Sequence, residues 1–502
     1  MLEAIASGLL ALFTPQALLF MFLGVTYGIF VGVLPGLGGI IAMTLLLPFT
    51  YDFEAAAIFS LLLGAHIGTI WGSSVTSILF NVPGAAKSLA LIFDGYPMTL
   101  KGEADRALGA SATAALLGGL VGAVFLALCI PIVRPVILLL GPSEYLMMAV
   151  WGMTLIATFS AGSVLKGLIA AGIGVLISFI GMDPVTATPR FTFGNLYLFD
   201  GISFPVAMIG LFAVSEMMKL YLKGDSIVSR DVSADRSSVL DGVRDAFRHW
   251  ALVLRSSALG VWIGVLPGIG ASAGGLAAYA LAVQTSKNPE SFGKGNVEGV
   301  IAPDATVGAN EGGGLLPTLA FGIPGGETMA LLLIAFLNRG IAPGPQMLTE
   351  HLDIVWTLIW IVVLASVMAA AIGLAISPYL ARMPRLKGDL LVPIVLCVCF
   401  IGAYATRGSL IDVGVAAGFG AIGFVMDRYR YSRANLVIGM VLATMVERSL
   451  HISLTLYGDT FLFTRPIALV MFILIVVTTA WPFVRSWRRD RARKLAEQGA
   501  PR

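Results

Sequence analysis

Long uncharged stretches constrain this chain more than any other feature. Residues 4–51, 107–133, 256–286, 354–381 and 466–484 contain no Asp, Glu, Lys or Arg. Each can hold a bilayer span of about 20 residues, or most of one. They are too long for barrel strands of about 10 residues. Lipid offers no partner for backbone N–H and C=O groups, so helices are the fold that remains. Composition agrees. Charged residues make up 12% of the 502 residues and apolar residues 57%, against a usual charged share of about 25% in soluble domains. These values exclude a typical soluble enzyme, a disordered chain and a nucleic-acid-binding domain. The expectation is an all-α polytopic membrane protein in the lipid bilayer, with about 10–12 helical segments. Cys129, Cys397 and Cys399 lie in apolar runs and read as packing residues. The first residues, MLEAIASGLL, lack a basic n-region, so no cleaved signal peptide is expected.

Charge divides the chain. Residues 1–218 read as an N-terminal transmembrane repeat and 219–255 as a cytoplasmic connector rich in Arg and Asp. Residues 256–484 read as a C-terminal repeat with additional helices, and 485–502 as a basic cytoplasmic tail. The two halves carry the same signature. GVLPGLG occupies 32–38 and GVLPGIG occupies 264–270, an offset of 232 residues. FNVPG at 80–84 and FGIPG at 321–325 repeat at an offset of 241. Order and spacing both recur, so the halves are internally related. Whether they lie parallel or inverted stays open at this level.

The repeated elements are helix breakers. Proline removes an N–H and glycine permits tight turns, so broken or re-entrant helices are expected there. A break exposes the N–H groups of the helix that follows, and these attract a carboxylate. The candidate substrate and ion contacts are Pro35, Gly36, Gly38, Gly39, Pro83 and Gly84 in the first half. Their counterparts are Pro267, Gly268, Gly270, Pro324 and Gly325. Thr69, Ser73, Ser77 and Asn81 add polar atoms to the first half, and Asn310, Glu311 and Thr318 to the second. Hydroxyls, amides and carbonyls can hold a carboxylate or a sodium ion. The plain alternative is packing glycines and kinks, which the duplication disfavours. Glu311 fits either a buried proton or cation carrier, or a residue of a wet loop. Asp304 has the same standing. His66 reads as a neutral packing residue and Glu327 as a helix-start residue. P-loop and HExxH motifs are missing from the sequence, so a secondary transporter fits better than an enzyme or ATP-driven pump.

At these residues the chain resembles the large membrane subunit of the tripartite tricarboxylate transporters, the TctA family. The resemblance rests on GVLPGLGG at 32–39, SILFNVPG at 77–84, FDGYP at 93–97 and GEADRALGA at 102–110. GVLPGIGASAGG at 264–275, NEGGGLLPTLAFGIPG at 310–325 and GIAPGP at 340–345 extend it over nearly the whole chain. It implies a multi-pass protein of the bacterial inner membrane that imports tricarboxylates or related organic carboxylates. It also implies sodium or a proton as coupling ion, a periplasmic solute-binding protein and a small four-helix membrane subunit. Trp71 stands where members commonly have a small, Tyr/Gly-rich stretch, which turns attention to carboxylates other than citrate. An anion channel or a membrane scaffold is the alternative class.

Overall fold

The computed structural model describes residues 1–34, 36–50, 53–159, 164–183, 186–223, 237–268, 270–380 and 388–480. Pro35, part of the 219–255 connector and the 485–502 tail lie outside the described residues. Seven helices are long and apolar enough to cross a membrane: Pro15–Gly32, Ala55–Phe80, Ala104–Ile137, Phe204–Leu222, Leu352–Leu380, Leu410–Arg428 and Arg433–Thr464. Shorter apolar helices include Gly39–Phe49 and Trp250–Val265. The protein is thus all-α and polytopic. Its one sheet among the described residues is a two-residue hairpin, in which Gly181 pairs with Arg190 and Met182 with Pro189.

Two compact units share the chain. The first joins residues 1–137 and 203–425, and the second joins 138–202 and 426–502. In the first unit we label helices α1 (Leu2–Leu12), α2 (Pro15–Gly32), α3 (Gly39–Leu46), α4 (Ala55–Phe80), α5 (Gly95–Leu100) and α6 (Ala104–Ile137). These are followed by α7 (Trp250–Val265), α8 (Gly270–Thr285), α9 (Glu298–Phe321), α10 (Glu327–Asn338) and α11 (Leu352–Leu380). Helix α7 therefore begins inside the stretch read from sequence as connector.

The breaks fall where proline and glycine predict them. Thr14 caps α2 by accepting from the Ala17 N–H at 3.3 Å, with Pro15 in the first turn. The long apolar run then breaks between Gly32 and Gly39, where Gly36 has φ +82°. The matched Gly268, between α7 and α8, has φ +94°. Helix α4 ends on Asn81 with φ 57° and α9 ends on Gly322 with φ 68°. These residues are 241 apart, like the motifs that contain them.

Glycines let paired helices approach backbone to backbone, the usual means of association where lipid is as apolar as Leu. A Cβ on Gly28 of α2 would meet the Ala65 carbonyl oxygen of α4 at 2.0 Å, and one on Gly260 of α7 would meet the Thr306 carbonyl oxygen of α9 at 2.2 Å. A Cβ on Gly72 would meet the Ile29 oxygen at 2.5 Å, and one on Gly313 the Val261 oxygen at 2.4 Å. The four residues of each pair of contacts match at the offsets of 232 and 241. Helix α6 packs on α9 by the same means: the Gly118 Cβ position lies 2.1 Å from the Ala305 oxygen.

In the second unit, helix Val164–Ser178 packs on Arg433–Tyr457 through Gly174 and Gly439. Glu144, with its side chain fully buried, pairs with Arg465 at 2.8 Å. Arg190 of the hairpin is paired with Glu447.

Candidate functional site

Helices α4 and α9 carry three ionisable groups of the first unit's interior, His66, Asp304 and Glu311. Both are buried along nearly their whole length. His66 on α4 and Glu311 on α9 form a hydrogen bond, Nε2 to Oε2, at 2.8 Å, with both side chains only 5% exposed. Glu311 therefore does not stand in a wet loop. It sits inside a helix, and His66 is its partner rather than plain packing. Two turns further along, the Ser74 hydroxyl donates to Asp304 Oδ1 at 2.9 Å. Position 66 meets 311 and position 74 meets 304, so α4 and α9 run antiparallel where they face each other.

A third charge completes the cluster. The 3-10 turn Ala86–Ile92 follows the Pro83–Gly84 break. From it Lys87 sends its Nζ inward, where the nitrogen is buried without a hydrogen-bond partner. Its charge interacts with both Glu311 and Asp304. An ammonium so placed offsets much of the cost of burying carboxylates, because an unpaired buried charge is expensive. Sequence reasoning did not single out Lys87 as a site residue. It is the only Lys or Arg between residues 55 and 100, which was the available signal.

The two breaks of the first half are joined. The Gly36 N–H donates to the Gly84 carbonyl at 3.0 Å. Gly84 itself packs on Ser73 and Thr76, with its Cβ position 2.2 Å from the Thr76 hydroxyl oxygen. Gly39 opens α3 directly against the His66 ring; a Cβ there would lie 2.2 Å from Nδ1 and 2.8 Å from the Thr69 hydroxyl oxygen. Gly38 precedes it as an extended cap residue. Thr69 donates to the His66 carbonyl at 2.7 Å, Ser73 to the Ile70 carbonyl at 2.9 Å and Ser77 to Ser88 at 2.9 Å. Each of these hydroxyls keeps acceptor capacity. Asn81 ends α4 in the left-handed conformation and Pro83 is half-buried.

In the second half, Thr318 donates to the Gly314 carbonyl at 2.6 Å and accepts from the Gly325 N–H at 3.2 Å. Gly325 lies against Gly314 and the Gly264 carbonyl. Pro267 and Pro324 are buried, while Gly268 and Asn310 are half-buried. Gly270 starts α8. Thr328, in the first turn of α10, lies 3.4 Å from His66 Nε2. The second break thus reaches the first half through the His66 ring.

Two further residues, Asp94 and Trp71, have structural work that sequence did not disclose. Asp94 of FDGYP is fully buried. It accepts at 2.8 Å from the N–H groups of Gly295 and Asn296 and from the Tyr279 hydroxyl, tying the first half to the loop before α9. Trp71 is buried against Gly373 of α11, and beside it Ile67, Ile70, Gly308 and Glu311 line a small, largely apolar cavity. Among the described residues no group of three or more His, Cys, Asp or Glu is placed to hold a metal ion.

A polytopic helical protein that encloses ionisable side chains beside paired helix breaks has the architecture of a membrane permease. The chain belongs to the tripartite tricarboxylate transporter TctA family, whose profile matches residues 18–438. It is a multi-pass transport protein of the bacterial inner membrane, not an enzyme. It is similar to an uncharacterised 52.8 kDa protein in the TAR-I ttuC' 3' region of Agrobacterium vitis, with 33% identity over 95% of this chain and 96% of that relative. An uncharacterised protein in the TAR-II ttuC' 3' region of the same organism is 31% identical over 46% of this chain and 98% of its own length. No solved structure matches the chain.

Proposed function

We propose that the chain is the large permease subunit of a binding-protein-dependent tripartite secondary transporter for organic carboxylates. The observation that carries this reading is the enclosed charge cluster between α4 and α9. A purely structural helix pair gains little from buried ion pairs, since apolar residues of similar volume serve stability as well or better. Buried charges beside helix breaks are what an ion-coupled carrier needs. A periplasmic solute-binding protein delivers the anion. The exposed N–H groups at the starts of α3 and α8 receive its carboxylates, and the glycines there allow the backbone to approach. Sodium or a proton supplies the drive, and a small four-helix membrane subunit completes the assembly.

The division into related halves belongs to the same proposal. Helices α4 and α9 correspond at an offset of 241 and face each other antiparallel. Equivalent helices running in opposite directions are related by an axis in the membrane plane, which is the arrangement of inverted repeats. With 26 and 24 residues, they reach about 36–39 Å at 1.5 Å per residue, enough to cross the hydrocarbon core.

Reconstitution of the chain with its two partner subunits tests the function. Radiolabelled citrate or malate should accumulate only with the binding protein present and an inward sodium or proton gradient. An ionophore should abolish accumulation, and ATP should not replace the gradient. Steady flux without the binding protein would indicate a channel. A complete lack of flux would indicate a scaffold.

A further inference from the structure

We propose that Asp304 carries the coupling proton of this transporter, beside the Lys87 amino group and the His66–Glu311 pair. This rests on the transport reading above. The cluster contains two carboxylates, Asp304 and Glu311, and the amino group of Lys87, whose charge interacts with both. Glu311 has the His66 ring nitrogen as partner at 2.8 Å. Gly39, at the start of α3, lies against the other face of the imidazole at Nδ1. The His66 ring thus bridges the start of α3 and the Glu311 carboxylate. Glu311 therefore has the His66 ring beside it, while Asp304 has only the more distant charge of Lys87.

Asp304 is the group built to gain and lose a proton. It is 2% exposed. Its Oδ1 accepts from Ser74, while its Oδ2 is buried with no hydrogen-bond partner. A buried carboxylate oxygen without a hydrogen-bond donor is open to a proton. A proton can occupy it with no coordination shell. A sodium ion would need several oxygens at once, and the nearest charged partner here is nitrogen, the Lys87 ammonium.

The surrounding elements add no further charge at this depth. Helix α4 contributes His66, and α6 contributes the Ser111 hydroxyl, its charged residues Asp105, Arg106 and Arg134 lying near its ends. Helix α2 has Tyr27 and α3 has no titratable group. Arg255 lies early in α7, and α8 has only Tyr279, which is bonded to Asp94. Asp94 itself faces Gly299, at the start of α9. Glu327 opens α10, and Asp353 lies in the first turn of α11.

The binding step is simple to balance. Asp304 takes one proton from the outer side while the carboxylate substrate enters. It releases the proton inside after substrate leaves, so one positive charge accompanies each transported anion.

The test uses the reconstituted three-protein complex in sodium-free vesicles that enclose a pH-sensitive dye, with radiolabelled citrate and malate. Substrate addition should acidify the lumen in step with uptake. In D304N, acidification per substrate should fall by at least about tenfold, and uptake should lose its pH dependence. D304E should restore both, which a merely structural Asp304 would not explain. Sodium-dependent uptake by the wild type with no acidification would overturn the proton assignment while leaving transport standing. Wild-type acidification in D304N would move the proton to another group. A wild type that neither accumulates nor exchanges label would overturn the transport reading and this one with it. The wild-type dye trace decides the coupling ion even if D304N fails to assemble.

Discussion

Glu311→Ala should destabilise the folded chain by about 3–5 kcal/mol, the usual cost of removing one partner from a buried charge pair. The truncation leaves the Lys87 ammonium facing only Asp304 and the His66 ring without its 2.8 Å acceptor. It also enlarges the cavity that Glu311 lines. The informative comparison is the double variant Glu311→Ala, Lys87→Met. Removing the ammonium, which has lost one of its two counter-charges, should recover part of the loss. Thermal unfolding of the purified variants in one detergent measures this. Strict additivity of the two single effects would mean that Lys87 and Glu311 do not interact. Neither the single nor the double variant should support gradient-driven uptake.

The second large effect concerns the close crossings. Gly28→Val and Gly260→Val each force a side chain onto a carbonyl oxygen that a Cβ would already meet at 2.0 and 2.2 Å. A flexible side chain could swing aside, but backbone of a buried partner helix cannot. Each variant should cost more than about 3 kcal/mol, at or beyond the upper range for overpacking. Gly172→Ala is the control. Nothing lies within 4 Å of that Cβ position, so the change should be close to neutral or slightly stabilising through helix propensity. Yield of monodisperse protein and the unfolding midpoint should separate the two classes. Equal behaviour of all three variants would refute the backbone-to-backbone crossings of α2 with α4 and of α7 with α9.

The breaks were legible in the sequence because their chemistry is local. Proline and glycine within a long apolar run disrupt a helix wherever the chain goes, and Gly36, Gly268 and Gly322 take the backbone conformations that breaks require. The seam glycines were legible only as composition. Their meaning depends on which carbonyl lies opposite, and Ala65 opposite Gly28 is a fact of packing. The charge cluster was harder still. His66 and Glu311 are 245 residues apart, and no spacing rule links them. A histidine alone in an apolar helix resembles a packing residue until its partner is known. Lys87 lies in a short turn, and only the tertiary placement of that turn directs its ammonium inward. Helix α9 itself, with Asp304, Glu311, Pro303 and Pro317 in its length, is not among the helices apolar enough to announce a membrane span.

In the proposed inverted arrangement, α4 and α9 cross the membrane in opposite directions and enclose the charged groups between them. Glu54 precedes α4 and Glu290 lies shortly before α9, both exposed. Single cysteines at these positions, in a chain otherwise free of cysteine, can be labelled in intact cells with a membrane-impermeant thiol reagent. The account predicts that one position reacts from outside while the other reacts only after the membrane is opened. Reaction of both positions from the same side would contradict it.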